Sequence, residues 1–306
     1  MTGTDAALRS VGLADELVLL TPQSMRARRH PRAVAGIWIW ETVLALLVSA
    51  PAAGLARAAW RGDANGDAPL WAQGGHALVD WLRHDNHGLS ALLSSAEIVL
   101  VVGVVAGLVP MAGLLVTLTY ATRERKAAGL ARSIAGGLRA FPSMALLLVV
   151  AGLVQGLVVS GGLLLASAVG GWANAGMGEA RAQQLAGVVG LIALALGSCV
   201  GVMHDLARAA VIRFKVKGLR ALGLGVRTLR LSPASLWWSW AWRSLASLAP
   251  VLAVAGLAGH LGGRGGLALA LLFLLHQAVV AARVALRASW LARAVRAVDG
   301  ALRRVG

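Results

Sequence analysis

Four residues in a polar stretch of the chain, His76, Asp80, His84 and His87, fall at spacings of four, four and three. On a helix they share one narrow face, while Leu78, Val79, Trp81 and Leu82 cover the other. Histidine and aspartate four residues apart can chelate a metal such as zinc. At ~1.5 Å rise per residue the stripe extends over about 16 Å, so all four cannot hold one ion. A pair would need further ligands, for which Asp63 or Asp67 are the candidates. The same pattern is that of the wet face of an amphipathic helix on a bilayer surface, which needs no metal. No cofactor is expected.

A second constellation is Ser198 with His204 and Asp205. A serine nucleophile needs a base within hydrogen-bond reach, and residues six apart lie on different helix faces. A hydrolase would therefore have to draw its base from another helix. Trp237, Trp238, Trp240 and Trp242 point several ways around one helix, which suits an aromatic belt at a membrane border better than a stacking platform.

The third constellation is a set of polar side chains inside apolar runs: Glu41, Asp205, Arg243 and His276, with Arg208 nearby. Counting ~1.5 Å per residue inward from the flanking polar positions, each lies about 10–14 Å inside a span. An unpaired charge at a helix centre costs roughly 2.5–3.5 kcal/mol, so such groups face one another. The expected arrangement is Arg243 paired with Asp205 or Glu41, with Arg208 and His276 beside them. That layer would lock helices together or floor a binding site. Independent snorkelling is the alternative, open to Arg243 and closed to the shorter carboxylates.

Lys217, Arg220, Arg227 and Arg230 form a fourth group, opposite Leu219, Leu222, Val226 and Leu229 on a helix. Such a helix would lie on a leaflet, each basic group contributing ~1 kcal/mol near anionic lipid head groups. It would recruit lipid or a protein partner, or simply fix topology.

These groups must be positioned by membrane helices. Apolar residues make up 58% of the 306 and charged ones 14%, against roughly 25% charged in a soluble domain. Mean hydropathy is +0.73. Strand-like alternation is absent, which argues against a transmembrane barrel. Single Cys199 gives neither a disulfide framework nor a thiolate metal set. The run from Arg26 to Ala52 imitates a signal peptide, but its basic region sits behind a long N-terminal segment and Glu41 interrupts its apolar part. The first span is expected to be retained.

The reading is all-α, with six transmembrane helices in three hairpins joined by amphipathic elbow helices. Spans are expected at about 33–55, 92–120 (kinked at Pro110), from Pro142 to about 170, from Leu185, from Pro233 to about 259, and from about 266. Residues 1–32 form an amphipathic N-terminal segment, 33–290 the six-helix domain and 291–306 a basic tail. A Gly/Ala-rich loop with Trp172 joins spans three and four. Basic segments ending near Pro31, Pro142 and Pro233 enter each hairpin and suggest a weak threefold repeat, which shared Ala/Leu composition would also produce. Of 29 Lys and Arg, 23 fall in the N-terminal segment, the second connection, the elbow after Asp205 and the C-terminal stretch, against five in the other connections. Both termini are therefore expected in the cytoplasm. The +16 formal charge is accounted for by that bias and not by nucleic acid.

Asp205-Leu-Ala-Arg208 with its basic elbow, Gly137-Leu-Arg139-Ala-Phe-Pro142, and Gln277 to Arg283 with Arg287 resemble a diffuse group of bacterial six-span inner-membrane proteins, similar to the membrane domain of some glycerophosphodiesterases. The resemblance covers most of the chain and implies the fold but no activity. The function expected is that of a non-enzymatic inner-membrane protein engaging anionic lipid or a protein partner through its basic elbows. A transporter with a polar site between helices is the alternative, and an intramembrane hydrolase the third.

Overall fold

The computed structural model describes residues 27–59, 86–119, 130–261 and 266–303. Among these residues a 3-10 turn at Ala27–Arg29 is followed by eight helices: α1 Pro31–Ala59, α2 Asn86–Ala106, α3 Leu108–Thr119, α4 Leu130–Met177, α5 Glu179–Phe214, α6 Gly218–Leu231, α7 Pro233–Leu261 and α8 Leu267–Arg303. No strand occurs among the described residues. Among the described residues six stretches are long and apolar enough to cross a membrane: Pro31–Pro51, Ala96–Thr119, Ala131–Met177, Glu179–Phe214, Pro233–Ala258 and Leu267–Ala301. The chain is a multi-pass membrane protein.

Exposure divides these helices into two zones. Large apolar side chains stand outward on α4 from Leu146 to Leu165, on α5 from Leu185 to Leu196, on α7 from Leu245 to Leu257 and on α8 from Leu267 to Leu275. Beyond this belt the same helices become buried in protein: Leu108 to Leu118 on α3, Val202 to Phe214 on α5, Val284 to Val298 on α8. The packed core thus lies at the end of the bundle where the arginines gather. The belt measures ~27 Å from Leu261 to Arg243 on α7 and ~30 Å from Leu185 to Asp205 on α5 at 1.5 Å per residue, matching the ~30 Å of a hydrocarbon core. The last helix is the hub, packing on α1, α3, α5, α6 and α7. Residues 291–303, expected as a tail, instead continue α8, and their Leu291, Ala294, Val295 and Val298 are buried in the core.

Two boundaries differ from expectation. Pro142 does not end the basic segment before the third span, because α4 runs through it without a break. Pro31 and Pro233 do open helices, where the missing N–H would be unpaired anyway. The loop expected around Trp172 is helical, and the turn between α4 and α5 is Gly178 alone, at φ +80. Only glycine takes that backbone conformation without strain. In the second span, Pro110 lacks the N–H that would bond the Ala106 carbonyl. The helix is interrupted at Gly107, one turn before the proline.

The basic segments make their closest contacts through small residues. On α6 the buried positions are Gly218, Ala221, Gly225 and Thr228, while Leu219 is exposed. A Cβ on Gly225 would stand 2.9 Å from the Met203 carbonyl and 3.0 Å from the Ala207 nitrogen, so two backbones meet there. On α4, Ser133 and Gly137 face α3, while Ile134 and Leu138 are exposed. Lipid competes with protein for leucine, so close contact between membrane helices is won by small residues. Of the apolar face expected to lie on a leaflet, Leu219 is exposed and Leu222, Val226 and Leu229 are half-buried.

Candidate functional site: an arginine-lined cavity

The deepest-buried charge is Asp205, 1% exposed, one turn past the point where α5 leaves the apolar belt. Its carboxylate accepts hydrogen bonds from Nη1 and Nη2 of Arg287 on α8 at 2.8 and 2.7 Å, and from the Trp290 indole at 2.8 Å. Arg208 Nη1, one helical turn on, lies 3.6 Å away. The fork of Arg287 matches the carboxylate in the bidentate geometry that makes such pairs strong. Further along the same two helices Arg213 meets Asp299 at 2.9 Å. Two ion pairs therefore pin α5 to α8.

The expected pairing was of Arg243 with Asp205 or Glu41, and this is corrected: Asp205 is taken by Arg287. Arg243 lies on α7 and donates to the Ser239 carbonyl and hydroxyl and to Ser289 Oγ at 3.3 Å. Its guanidinium also stands 4.5 Å from the centre of the Trp242 ring. His276 is not beside this group. It turns to the Leu272 carbonyl at 2.8 Å, eleven residues before Arg287 and so about 16 Å up the helix. Taking Arg283 as the edge of the sixth span set His276 in the layer, whereas α8 runs 20 residues past Arg283. Next to His276, Gln277 Oε1 accepts the Thr42 hydroxyl from α1 at 3.1 Å.

A cavity of about 410 Å³ brings the remaining groups together. Glu41 and Trp40 line it from α1, Gly107 and Met111 from the broken second span and Arg208 from α5. From α7 come Trp240 and Arg243, and from α8 Arg283, Arg287 and Trp290. Its volume is in the range of ligand sites, ≈ 300–1,000 Å³. Four guanidinium groups face one carboxylate across it, and Asp205 behind the wall neutralises part of the excess. Of the four, Arg287 is held by Asp205. Arg208 donates Nη1 to Met111 Sδ at 3.2 Å, and its buried Nε–H has no partner. Arg208 is 5% exposed, so water does not compensate that donor, which costs about 1–3 kcal/mol if left unmade. Such an arrangement suits a phosphate or carboxylate.

Glu41, Asp205, Arg208 and Arg243 therefore do share one region, in and behind the cavity wall. Sequence reasoning missed Arg287 and Trp290 as members. The available signal was the i, i+4 pair Arg283 and Arg287, which had been read as a border marker.

Arg220, Arg227 and Arg230 stand exposed on α6 and Lys217 just before it, away from the cavity. His76, Asp80 and His84 lie outside the described residues, and His87 opens α2. Among the described residues no three His, Cys, Asp or Glu gather as metal ligands. Ser198 accepts the Trp237 indole N–H at 2.7 Å and donates to the Ala195 carbonyl at 2.6 Å, so its hydroxyl meets no base. Comparison with protein-family models, curated proteins and solved structures finds no match for this chain.

Proposed function

We propose that the protein is a non-enzymatic binding protein or carrier of the bacterial inner membrane, holding an anionic ligand in the arginine-lined cavity. On this reading six spans in three hairpins leave residues 1–32 and 291–306 in the cytoplasm. What supports that orientation is the excess of 23 basic residues over five between the two sides, the bias that fixes topology in such membranes. The exposed basic face of α6 then meets the anionic surface of the inner leaflet.

One observation carries the binding reading: four arginines and a single glutamate line a cavity at the border of the apolar belt. Ionisable groups at membrane depth are costly, and where they face a cavity they mark the path of a ligand or ion. The interrupted helix at Gly107, lining the same cavity, belongs to the same pattern, since carriers place broken helices at their binding sites.

Trp40, Trp240 and Trp290 line the cavity and report on its occupancy. Titration of purified protein with glycerol 3-phosphate, and separately with phosphatidylglycerol in mixed micelles, should give a saturable change in tryptophan fluorescence with at least one of them. Arg243→Gln with Arg283→Gln should abolish it. If neither probe gives an arginine-dependent change, the binding reading is wrong.

A further inference from the structure

Resting on the reading of the cavity as an anion site, we propose that its occupant is the phosphate of an anionic phospholipid. The lipid enters sideways from the adjoining leaflet between α7 and the α1–α2 pair. The packing of the helices provides the gap. α7 packs on α8 and, near its start, on α5 and α6. It makes no extended contact with α1, α2 or α3, and the cavity stands between them, lined from both sides.

The route from the basic end is closed. Leu108, Trp290 and Leu291 line the cavity there and are 2%, 2% and 0% exposed as part of the packed core. On the lateral side the lining is open: Val104 is 49% exposed, and Arg283 is exposed too. A soluble phosphate ester would have to cross either the core or the lipid to reach these arginines. A lipid already stands at the door.

Depth and lining agree with that entry. Arg243 and Arg283 emerge where the apolar belt ends, the level at which a leaflet carries its phosphates. Ile37, Leu44 and Val104 continue the lining upward into the belt, where acyl chains would lie. Arg243, held by two serines and the Trp242 ring but by no carboxylate, and exposed Arg283 stand at the mouth to close on a phosphate, and the unpartnered Nε–H of Arg208 waits at the back wall. The excess of guanidinium over carboxylate selects a net negative head group. Glu41, the one carboxylate in the lining, accepts hydrogen bonds from head-group hydroxyls.

Native mass spectrometry of the protein released from neutral detergent tests this with three probes: phosphatidylglycerol, phosphatidylethanolamine and glycerol 3-phosphate. Phosphatidylethanolamine is the demanding control, because Glu41 offers its ammonium a partner. The expected result is one phosphatidylglycerol retained per protein, at least tenfold more tightly than phosphatidylethanolamine. Retention should fall at least tenfold in Arg243→Gln with Arg283→Gln and be unchanged in Arg220→Gln with Arg227→Gln on α6. Val104→Trp keeps every charge and blocks the lateral mouth, so it should lose the lipid whether or not the double arginine variant folds. Three outcomes overturn the proposal. Phosphatidylethanolamine bound as tightly removes the anionic selectivity. Retention indifferent to Val104→Trp and to the cavity arginines makes the lipid merely annular. Arginine-dependent binding of glycerol 3-phosphate without phosphatidylglycerol removes the lipid while leaving an anion site, and loss of both removes the anion site as well.

Discussion

Replacing Asp205 with Asn keeps the size of the side chain and removes its charge. The carboxylate serves three donors, two from Arg287 and one from Trp290, and balances Arg208. Those partners differ in what they lose. The Arg287 side chain is 36% exposed and can turn toward water or lipid phosphates, so its share is discounted to that of a partly screened pair, below about 1 kcal/mol. Trp290, 2% exposed, has no such escape, and an orphaned indole N–H costs about 1–3 kcal/mol. Arg208 is left as a buried charge without a counter-ion, and breaking a buried pair costs about 3–5 kcal/mol. These effects share one site and do not add, so the expected loss is about 3–5 kcal/mol. Unfolding in mixed micelles with rising dodecyl sulfate, followed by tryptophan fluorescence, reads it directly. Arg287→Gln should lose only about 1–2 kcal/mol, because Asp205 keeps Trp290 and Arg208. Arg243→Gln should lose only about 1–2 kcal/mol, because it breaks hydrogen bonds to buried Ser239 and half-buried Ser289 but no ion pair. Asp205→Asn unfolding with the parent protein, or Arg243→Gln costing as much as Asp205→Asn, would refute the assignment of Arg287 as the partner.

Packing and topology give further expectations. Gly225→Leu drives a side chain into the Met203 carbonyl and Ala207 and should cost about 1–3 kcal/mol in the same unfolding assay. Gly223→Ala, with nothing within 4 Å of the added carbon, should be neutral or stabilising by up to about 1 kcal/mol. A periplasm-active reporter fused after Ala68 should be active and one fused after Gly218 or Gly306 silent; activity at either of the latter removes the proposed orientation. His84→Gln with His87→Gln should leave zinc content and melting unchanged, and a stoichiometric metal lost in that variant would establish the histidine stripe as a site.

Much of the scaffold was legible because hydrophobic length is a one-dimensional signal. The apolar runs before and after Arg208, and the prolines at Pro31 and Pro233, fix where helices lie without reference to partners. Pairing was not legible, because it depends on rotation about each helix axis and on where the belt ends. Depth counted from Arg213 and Arg283 assumed that a helix leaves the bilayer at its first basic residue. Here α5 and α8 run on for several turns inside protein, so the polar groups lie at the border of the belt. Arg287 then faces Asp205, and His276 is left about 16 Å above it. The elbow shows the same limit: its apolar stripe was visible in the sequence, but not that α6 meets α5 most closely at Gly225, where two backbones approach. In Gly103-Val-Val-Ala-Gly107 the small-residue spacing was in the sequence, and the side chains of Leu44 and Trp40 do sit against those two glycines.

The central claim is that the cavity between α1, α2 and α7 holds a lipid phosphate. Determining the structure of the protein in a nanodisc of phosphatidylglycerol tests it most directly. A phosphate should stand within about 3 Å of the Arg243 and Arg283 guanidinium nitrogens, with its acyl chains passing Val104 and Leu44 toward the apolar belt. A cavity free of phosphate, with α7 closed against α1 and Glu41 paired to Arg243, would contradict the account.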